Sequence, residues 1–221
     1  NPLSLHDVVL HFRNTRGVAD FCFRPVDRCR MRCQKGSMPR AHRLFLALRP
    51  PDNVRARLSL VQAGVPGARW QSDAQLHITL RFIGEVDRHQ AEDIVASLAT
   101  VQAPALDVRV AGVGHFGKGP RLEAIWAGID PKDAITALHA KLDRALISAG
   151  IAADSRAYLP HITLARFSAS TRAAVAQAWL AEHAALSTAA FRLDSMALYE
   201  SHLTAHGSHY EEIERWSLRP V

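Results

Sequence analysis

The 221-residue sequence lacks any apolar run that approaches the roughly 20 residues of a membrane-spanning helix. The N-terminus also lacks the charged-then-apolar pattern of a secretory signal. Only three cysteines are present, and Cys22, Cys29 and Cys33 all precede residue 41. A zinc site would need a further ligand near Cys29 and Cys33, and the spacing from Cys22 is not a common zinc pattern. We therefore expect a soluble, cytoplasmic protein.

A large excess of basic charge is also absent from most of the chain. The formal charge is +6, but residues 1–40 carry eight Lys and Arg against three Asp, whereas the remainder carries 19 basic against 18 acidic residues. Phosphate affinity in the body of the protein must therefore come from local placement of charge, and overall basicity carries no argument for nucleic-acid binding.

Residues 1–40 show no hydrophobic periodicity, so we do not expect them to be part of the folded domain. A cloning scar, an upstream misassigned start or a disordered basic arm would each explain this segment. Residues 41–221 are expected to form one bilobal domain.

The body alternates strands and helices and repeats one motif. His-Ile-Thr-Leu occurs at residues 77–80 and again at 161–164, each time within an apolar strand and between predicted helices. This order indicates an internal duplication. We predict an α+β fold of two pseudo-symmetric lobes, each an antiparallel sheet with flanking helices, whose motif strands face a shared central cleft.

Two matches to His-x-Thr-Leu among twelve histidines arise by chance on the order of once in a thousand such sequences. Strand parity places His77 and Thr79 on one face, and likewise His161 and Thr163. Two histidines across a cleft can take a proton from an attacking hydroxyl and give one to a leaving oxygen. Each threonine hydroxyl can donate to a non-bridging phosphate oxygen. The pattern favours phosphodiester chemistry.

A metal-dependent phosphoesterase is the alternative within this chemistry. Such sites need several Asp, Glu or His ligands, and the two motif strands supply no acid beside either histidine. We therefore predict catalysis without a metal or other cofactor.

The sequence resembles the two-histidine phosphoesterases, and more closely their LigT-like branch, the RNA 2′,3′-cyclic phosphodiesterases historically named 2′-5′ RNA ligases. The resemblance begins at Arg43 and includes Arg43-Leu-Phe-Leu-Ala-Leu, Trp70, Leu76 to Glu85, Pro160 to Arg166 and Leu198-Tyr-Glu-Ser201. It implies hydrolysis of a terminal RNA 2′,3′-cyclic phosphate to a 2′-phosphomonoester. It also implies that His161 activates water, that His77 protonates the leaving oxygen, and that the reverse condensation is a 2′-5′ ligation. RNA is the expected partner, and we expect a monomer.

Three further residues are candidates for substrate binding. Arg166 matches the family's arginine after the second tetrad, but strict parity points it away from His161, so a twist or bulge must bring it in. Arg81 has the parity of His77, although a salt bridge at the rim would explain it equally well. Phe116 could stack on a base or could simply plug the hairpin beneath it.

Two rival functions stay open. The same site could open a cyclic phosphate on a small nucleotide or sugar metabolite. Alternatively, the protein could bind RNA ends without catalysis, although binding alone does not require two imidazoles in complementary protonation states.

Overall fold

Short apolar runs bounded by turn residues form nine strands in the part of the chain that the computed structural model describes, residues 41–204 and 207–219. The expectations for residues 1–40 and their cysteines lie outside these residues. The strands are β1 (His42–Leu48), β2 (Arg69–Trp70), β3 (Ile78–Val86), β4 (Leu106–Phe116), β5 (Ala124–Asp130), β6 (His161–Arg166), β7 (Phe191–Leu193), β8 (Ser195–Thr204) and β9 (Gly207–Ser217). The helices are α1 (Asp52–Ser59), α2 (Arg88–Ala99), α3 (Asp133–Ser148) and α4 (Gln177–Glu182).

One antiparallel sheet contains all nine strands, in the order β7-β4-β5-β6-β3-β1-β8-β9, with β2 paired to β6. Strands β7 and β8 are separated only by Asp194, yet they lie near opposite ends of this order. The sheet must therefore curl until its ends approach each other. An isolated bridge between Pro104 and Arg219 supports this, because these residues precede β4 and follow β9.

The two motif strands lie at the centre of the sheet, where β3 meets β6 through the pair Ile78 and Ile162. On one side, β3 is followed by β1, β8 and β9, and on the other, β6 is followed by β5, β4 and β7. The α+β fold with a central pseudo-two-fold relation is thus confirmed. The lobes are not the halves of the chain, however, because β4 joins the lobe of the second motif and β8 joins the lobe of the first.

Helix α3 is the helix that packs on the central motif strand. Helix α3 buries Ile135, Leu138, Leu142 and Leu146, the apolar positions that its sequence repeats at helical spacing. This helix packs against β3 and against α2. None of the described helices is long and apolar enough to span a membrane.

The segment between β6 and β7 is only partly helical. Arg172 is extended and forms an isolated bridge with Arg121, so the chain cannot yet turn into a helix there. A 3₁₀ turn over Ala173–Ala176 follows, and α4 then ends at Glu182. The Trp179 indole of α4 donates to the carbonyl of Val61 and lies 5.9 Å from the ring of Trp70.

Candidate active site

The two motifs meet across the antiparallel pair Ile78 and Ile162. Extending that register by one residue in each direction places His77 opposite Thr163, and Thr79 opposite His161. Side chains directly opposite each other in an antiparallel pair lie about 5 Å apart at Cβ. The pair of Ile78 and Ile162 therefore brings the two tetrads together at the centre of the sheet.

Both imidazoles are held in the same way by the backbone two residues earlier. Nδ1 of His161 donates to the carbonyl of Leu159 at 2.7 Å, and His77 makes the corresponding backbone hydrogen bond to Gln75. A carbonyl can only accept, so the bonded nitrogen carries the proton. In the neutral ring the other nitrogen is then left with a lone pair, as a proton acceptor requires.

Aromatic rings surround each histidine. His77 lies 5.1 Å from the ring of Phe45 and 5.5 Å from that of Tyr210, which presents its edge. His161 lies 4.8 Å from the ring of Phe116, which is edge-on, and 6.1 Å from that of Trp126. These contacts shield the half-buried imidazoles from part of the solvent.

Burial lowers the pKa of both histidines, because the charged form loses its solvation. The pKa of His77 falls from 6.5 to about 4, and the positive charges of Arg166 and His161 add to the effect of burial. Burial is also the main cause of the lowered pKa of His161, and Arg166 lowers it further, while the hydrogen bond to Leu159 acts in the opposite direction. Both rings are therefore neutral in the unliganded protein near pH 7.

The threonine hydroxyls are available for a ligand. Thr79 and Thr163 are half-buried, and neither hydroxyl bonds to another described residue. Because each lies on the same strand face as its histidine, the four side chains form a compact polar patch in an apolar surround.

A β-bulge interrupts each motif strand one residue after its threonine. Between β1 and β3 the register passes from Ala47 and Thr79 to Leu46 and Arg81, so Leu80 has no partner. Between β5 and β6 the register makes the same shift at Leu164. A bulge of one residue reverses the alternation of side chains beyond it.

The bulge at Leu164 supplies what Arg166 needs to reach the cleft. The side chain of Arg166 is exposed, makes no hydrogen bond or ion pair with a described residue, and lowers the pKa of both histidines. Its guanidinium therefore acts on both imidazoles through the cleft. Its role as a phosphate ligand stays a prediction.

The bulge at Leu80 turns Arg81 toward ion-pair partners, although part of its side chain still lines the cavity beside Thr79 and His161, so substrate binding by Arg81 stays a prediction. Its side chain is 6% exposed and turns toward α3, where it bonds to Asp143 at 2.8 Å and to Asp154 at 3.5 Å. It also donates to the carbonyls of Phe82 and Ala152. With these partners the guanidinium ties β3 to α3 and to the loop before β6, which does not favour phosphate binding.

Phe116 ends β4 with its ring against His161 and 5.5 Å from Trp126. The half-buried ring lines a cavity of about 180 Å³ that also contains Thr79, Tyr158 and His161. This position is compatible with both earlier interpretations, so base stacking by Phe116 stays a prediction.

Sequence reasoning missed the aromatic rings around His77. Phe45 and Tyr210 come from β1 and β9, which are distant in sequence from the first tetrad. Alternation within β1 marked Phe45 as part of a strand with two apolar faces, and no local signal distinguished it from a core residue. Among the described residues, no group of three or more His, Cys, Asp or Glu is placed to hold a metal ion.

Comparison with known proteins gives the family. The model of the 2′-5′ RNA ligase superfamily matches residues 50–205, which is more than half of the chain. The protein therefore belongs to this superfamily.

The chain is also similar to several individual proteins. The RNA 2′,3′-cyclic phosphodiesterase of Aeropyrum pernix is 29% identical over 72% of this chain and 91% of its own length. The protein of the same name from Methanocaldococcus jannaschii is 26% identical over 79% of this chain and 99% of its own.

Solved structures share the fold. E. coli LigT complexed with 3′-AMP has a TM-score of 0.66 at 22% identity, over 81% of this chain and 99% of LigT. A structure from Thermus thermophilus has a TM-score of 0.65 at 27% identity, over 80% of this chain and 98% of its own.

Proposed function

We propose that the protein is an RNA 2′,3′-cyclic phosphodiesterase that hydrolyses the cyclic end to a 2′-phosphomonoester. The observation that carries the proposal is the pairing of the two motif strands at Ile78 and Ile162, which brings both His-Ile-Thr-Leu tetrads together at the centre of the sheet. The names of the relatives from A. pernix and M. jannaschii support the activity and the substrate.

In the proposed reaction a water molecule forms a new bond to phosphorus while the P–O3′ bond breaks. The free ring nitrogen of His161 takes a proton from the water, and His77 gives a proton to the departing O3′. The hydroxyls of Thr79 and Thr163 donate to the non-bridging oxygens, where negative charge increases in the transition state. The guanidinium of Arg166 offsets the same charge.

The pKa of His77 places a condition on this assignment. With a pKa of about 4, His77 is neutral in the unliganded protein, whereas a general acid must carry a proton. The cyclic phosphate brings one negative charge between the two rings and opposes the charge of Arg166, so its binding raises both pKa values. The proton on His77 is thus taken up together with the substrate.

The same groups can catalyse a 2′-5′ ligation, in which the 5′-hydroxyl of a second RNA end replaces water, forms the new bond to phosphorus and expels O3′ from the cyclic phosphate. Water favours hydrolysis, so the ligation requires a high concentration of ends. Metal independence and a monomeric state belong to the same proposal.

The test uses an RNA with a 2′,3′-cyclic end in the presence of EDTA. The wild type should form a 2′-phosphate end, and His77→Ala and His161→Ala should each lose about a hundredfold or more in rate. The matched control is His89→Ala, since this side chain is 93% exposed on α2, and it should retain wild-type activity.

Each alternative predicts a different result. A wild type that EDTA inactivates would overturn the metal-free reaction. A protein that only binds RNA ends would leave the cyclic end unchanged but would slow the migration of the RNA in a native gel. Sugar or nucleotide metabolites with a cyclic phosphate would be preferred over RNA if the protein acts on small molecules.

A further inference from the structure

A second cavity opens beside the motif strands, on the side of His77. Its volume is about 530 Å³, and three arginines and three aromatic rings line it together with smaller residues. The arginines are Arg43, Arg156 and Arg166, and the rings are Phe45, Phe82 and Tyr210. Because Phe45 and Tyr210 also contact His77, the cavity adjoins the proposed catalytic centre.

Arg43 is the cation of this cavity that the proposed reaction leaves unused. Its side chain is exposed and has no ion pair or hydrogen bond with a described side chain, although Glu85 is its cross-strand partner. Arg156 differs, because its guanidinium is bonded to Asp154 at 2.8 Å. An unpaired arginine in a body with 19 basic and 18 acidic residues is a local positive charge that an anion can occupy.

The position of Arg43 on β1 fixes its distance from the reacting phosphate. Phe45 contacts the ring of His77, and Arg43 lies two residues further along the same face of β1. Two residues of a strand span about 7 Å. The backbone of Arg43 is thus displaced along the strand from the ring that contacts His77, in the direction where a neighbouring phosphate of the same RNA chain can reach it.

The floor of the cavity suits a nucleobase. Phe82 is 49% exposed, which is unusual for a phenylalanine in the middle of a strand. The bulge at Leu80 turns this ring into the cleft. Aromatic rings beside a positively charged groove are the usual means of holding single-stranded nucleic acid, because every base can stack.

We propose that this cavity binds the nucleotide on the 5′ side of the cyclic end, with its phosphodiester on Arg43 and its base on Phe82. The inference rests on the proposed function and makes it more specific. The enzyme would then act on oligonucleotide ends in preference to cyclic mononucleotides.

The experiment compares three substrates. They are adenosine 2′,3′-cyclic phosphate, the ApA dinucleotide with a 2′,3′-cyclic end, and the same dinucleotide with an uncharged methylphosphonate as its internal linkage. The wild type should have a kcat/KM on the charged dinucleotide about tenfold above that on the mononucleotide. The methylphosphonate should lose most of this advantage.

Arg43→Gln tests the residue. The variant should lose about five- to tenfold on the charged dinucleotide, mainly through KM, so that its preference over the mononucleotide nearly disappears. On the methylphosphonate, Arg43→Gln and wild type should be alike, because the charge that Arg43 recognises is already gone. The matched control is Arg57→Gln, an exposed arginine on α1 outside this cavity, which should keep the wild-type preference.

The outcomes separate the two proposals. Equal activity of the wild type on mononucleotide and dinucleotide, or an equal loss by Arg43→Gln on all three substrates, overturns the cavity assignment and leaves the phosphodiesterase intact. A wild type that opens none of the three rings overturns the proposed function, and the cavity assignment with it.

Discussion

The hydroxyl of Tyr158 donates a 3.0 Å hydrogen bond to the backbone carbonyl of Thr79. The residue after Tyr158 is Leu159, whose carbonyl holds the ring of His161. Tyr158 thus links the backbone of the first motif to the segment that orients the histidine of the second. Its ring stacks on His139 at 4.0 Å, which fixes the hydroxyl in place.

Replacing Tyr158 by Phe should therefore affect turnover more than substrate binding. The change keeps the ring and removes only the hydroxyl, so the Thr79 carbonyl loses its partner. We expect the free energy of unfolding to fall by about 1–2 kcal/mol and kcat to fall by about tenfold, with KM within about twofold of wild type. Denaturant unfolding and steady-state kinetics on a cyclic-phosphate RNA measure these quantities.

Tyr199→Phe is the control for this experiment. Its hydroxyl bonds to the Glu212 carboxylate at 3.3 Å and does not touch either motif backbone. It should show a comparable or smaller loss of stability and no loss of kcat. If both variants lose kcat equally, Tyr158 does not act through Thr79.

The lowered pKa values of His77 and His161 predict an acidic optimum for kcat/KM. This parameter reports the free enzyme, in which burial holds the pKa of His77 at about 4 and that of His161 below 6.5. One histidine must be protonated and the other neutral, so the profile should be bell-shaped with both limbs below pH 6.5. The two apparent values belong to the coupled pair. In the complex the bound anion raises both pKa values, so the kcat profile should lie at higher pH.

Arg166→Gln tests the electrostatic part of this prediction. Removing a positive charge raises the pKa of both histidines, so the kcat/KM profile should shift toward higher pH while its maximum decreases. Arg166→Lys keeps the charge, so both limbs of its kcat/KM profile should stay near their wild-type pH. A profile whose position is the same in Arg166→Gln and wild type would contradict the proximity of Arg166 to the imidazoles.

Arg166 and Arg81 also show how far the sequence could predict this site. The duplicated tetrads identified both histidines, both threonines and the central position of their strands, because alternation along a strand is a local property. The bulges at Leu80 and Leu164 are not local, since they depend on the register with β1 and β5. Parity alone therefore left Arg81 open between substrate binding and a salt bridge, and it placed Arg166 outside the cleft. In the structure Arg81 has two ion-pair partners, and the charge of Arg166 acts on both histidines. The exchange of β4 and β8 between the lobes could not be predicted from the sequence either, because the order of strands in a sheet depends on contacts between distant segments.

Arg81 should behave as a structural residue. Replacing it by Met removes the ion-pair partner of Asp143 and leaves Asp154 with Arg156 alone; the two carboxylate side chains are 19% and 17% exposed. We expect a loss of about 3 kcal/mol in the free energy of unfolding and, at a temperature where the variant is folded, a KM close to that of wild type. Arg109→Met removes an exposed pair with Asp130 and should cost less than about 1 kcal/mol. A large rise in KM for Arg81→Met without a loss of stability would instead support the original prediction of substrate binding.

Because the two halves of the site are pseudo-symmetric, the acid and base roles of His77 and His161 are best distinguished with substrates that differ in their leaving group. A p-nitrophenolate ion leaves without a proton, so cleavage of bis(p-nitrophenyl) phosphate needs a base but little help from an acid. His77→Ala should therefore lose about a hundredfold or more on the cyclic phosphate and less than about tenfold on the aryl diester, whereas His161→Ala should lose a similar factor on both. The opposite assignment, with His77 as the base, also has a physical basis. The strongly lowered pKa of His77 favours its neutral form, which is the form that a base requires. If His161→Ala is the variant that the aryl diester rescues, the acid and base roles are exchanged.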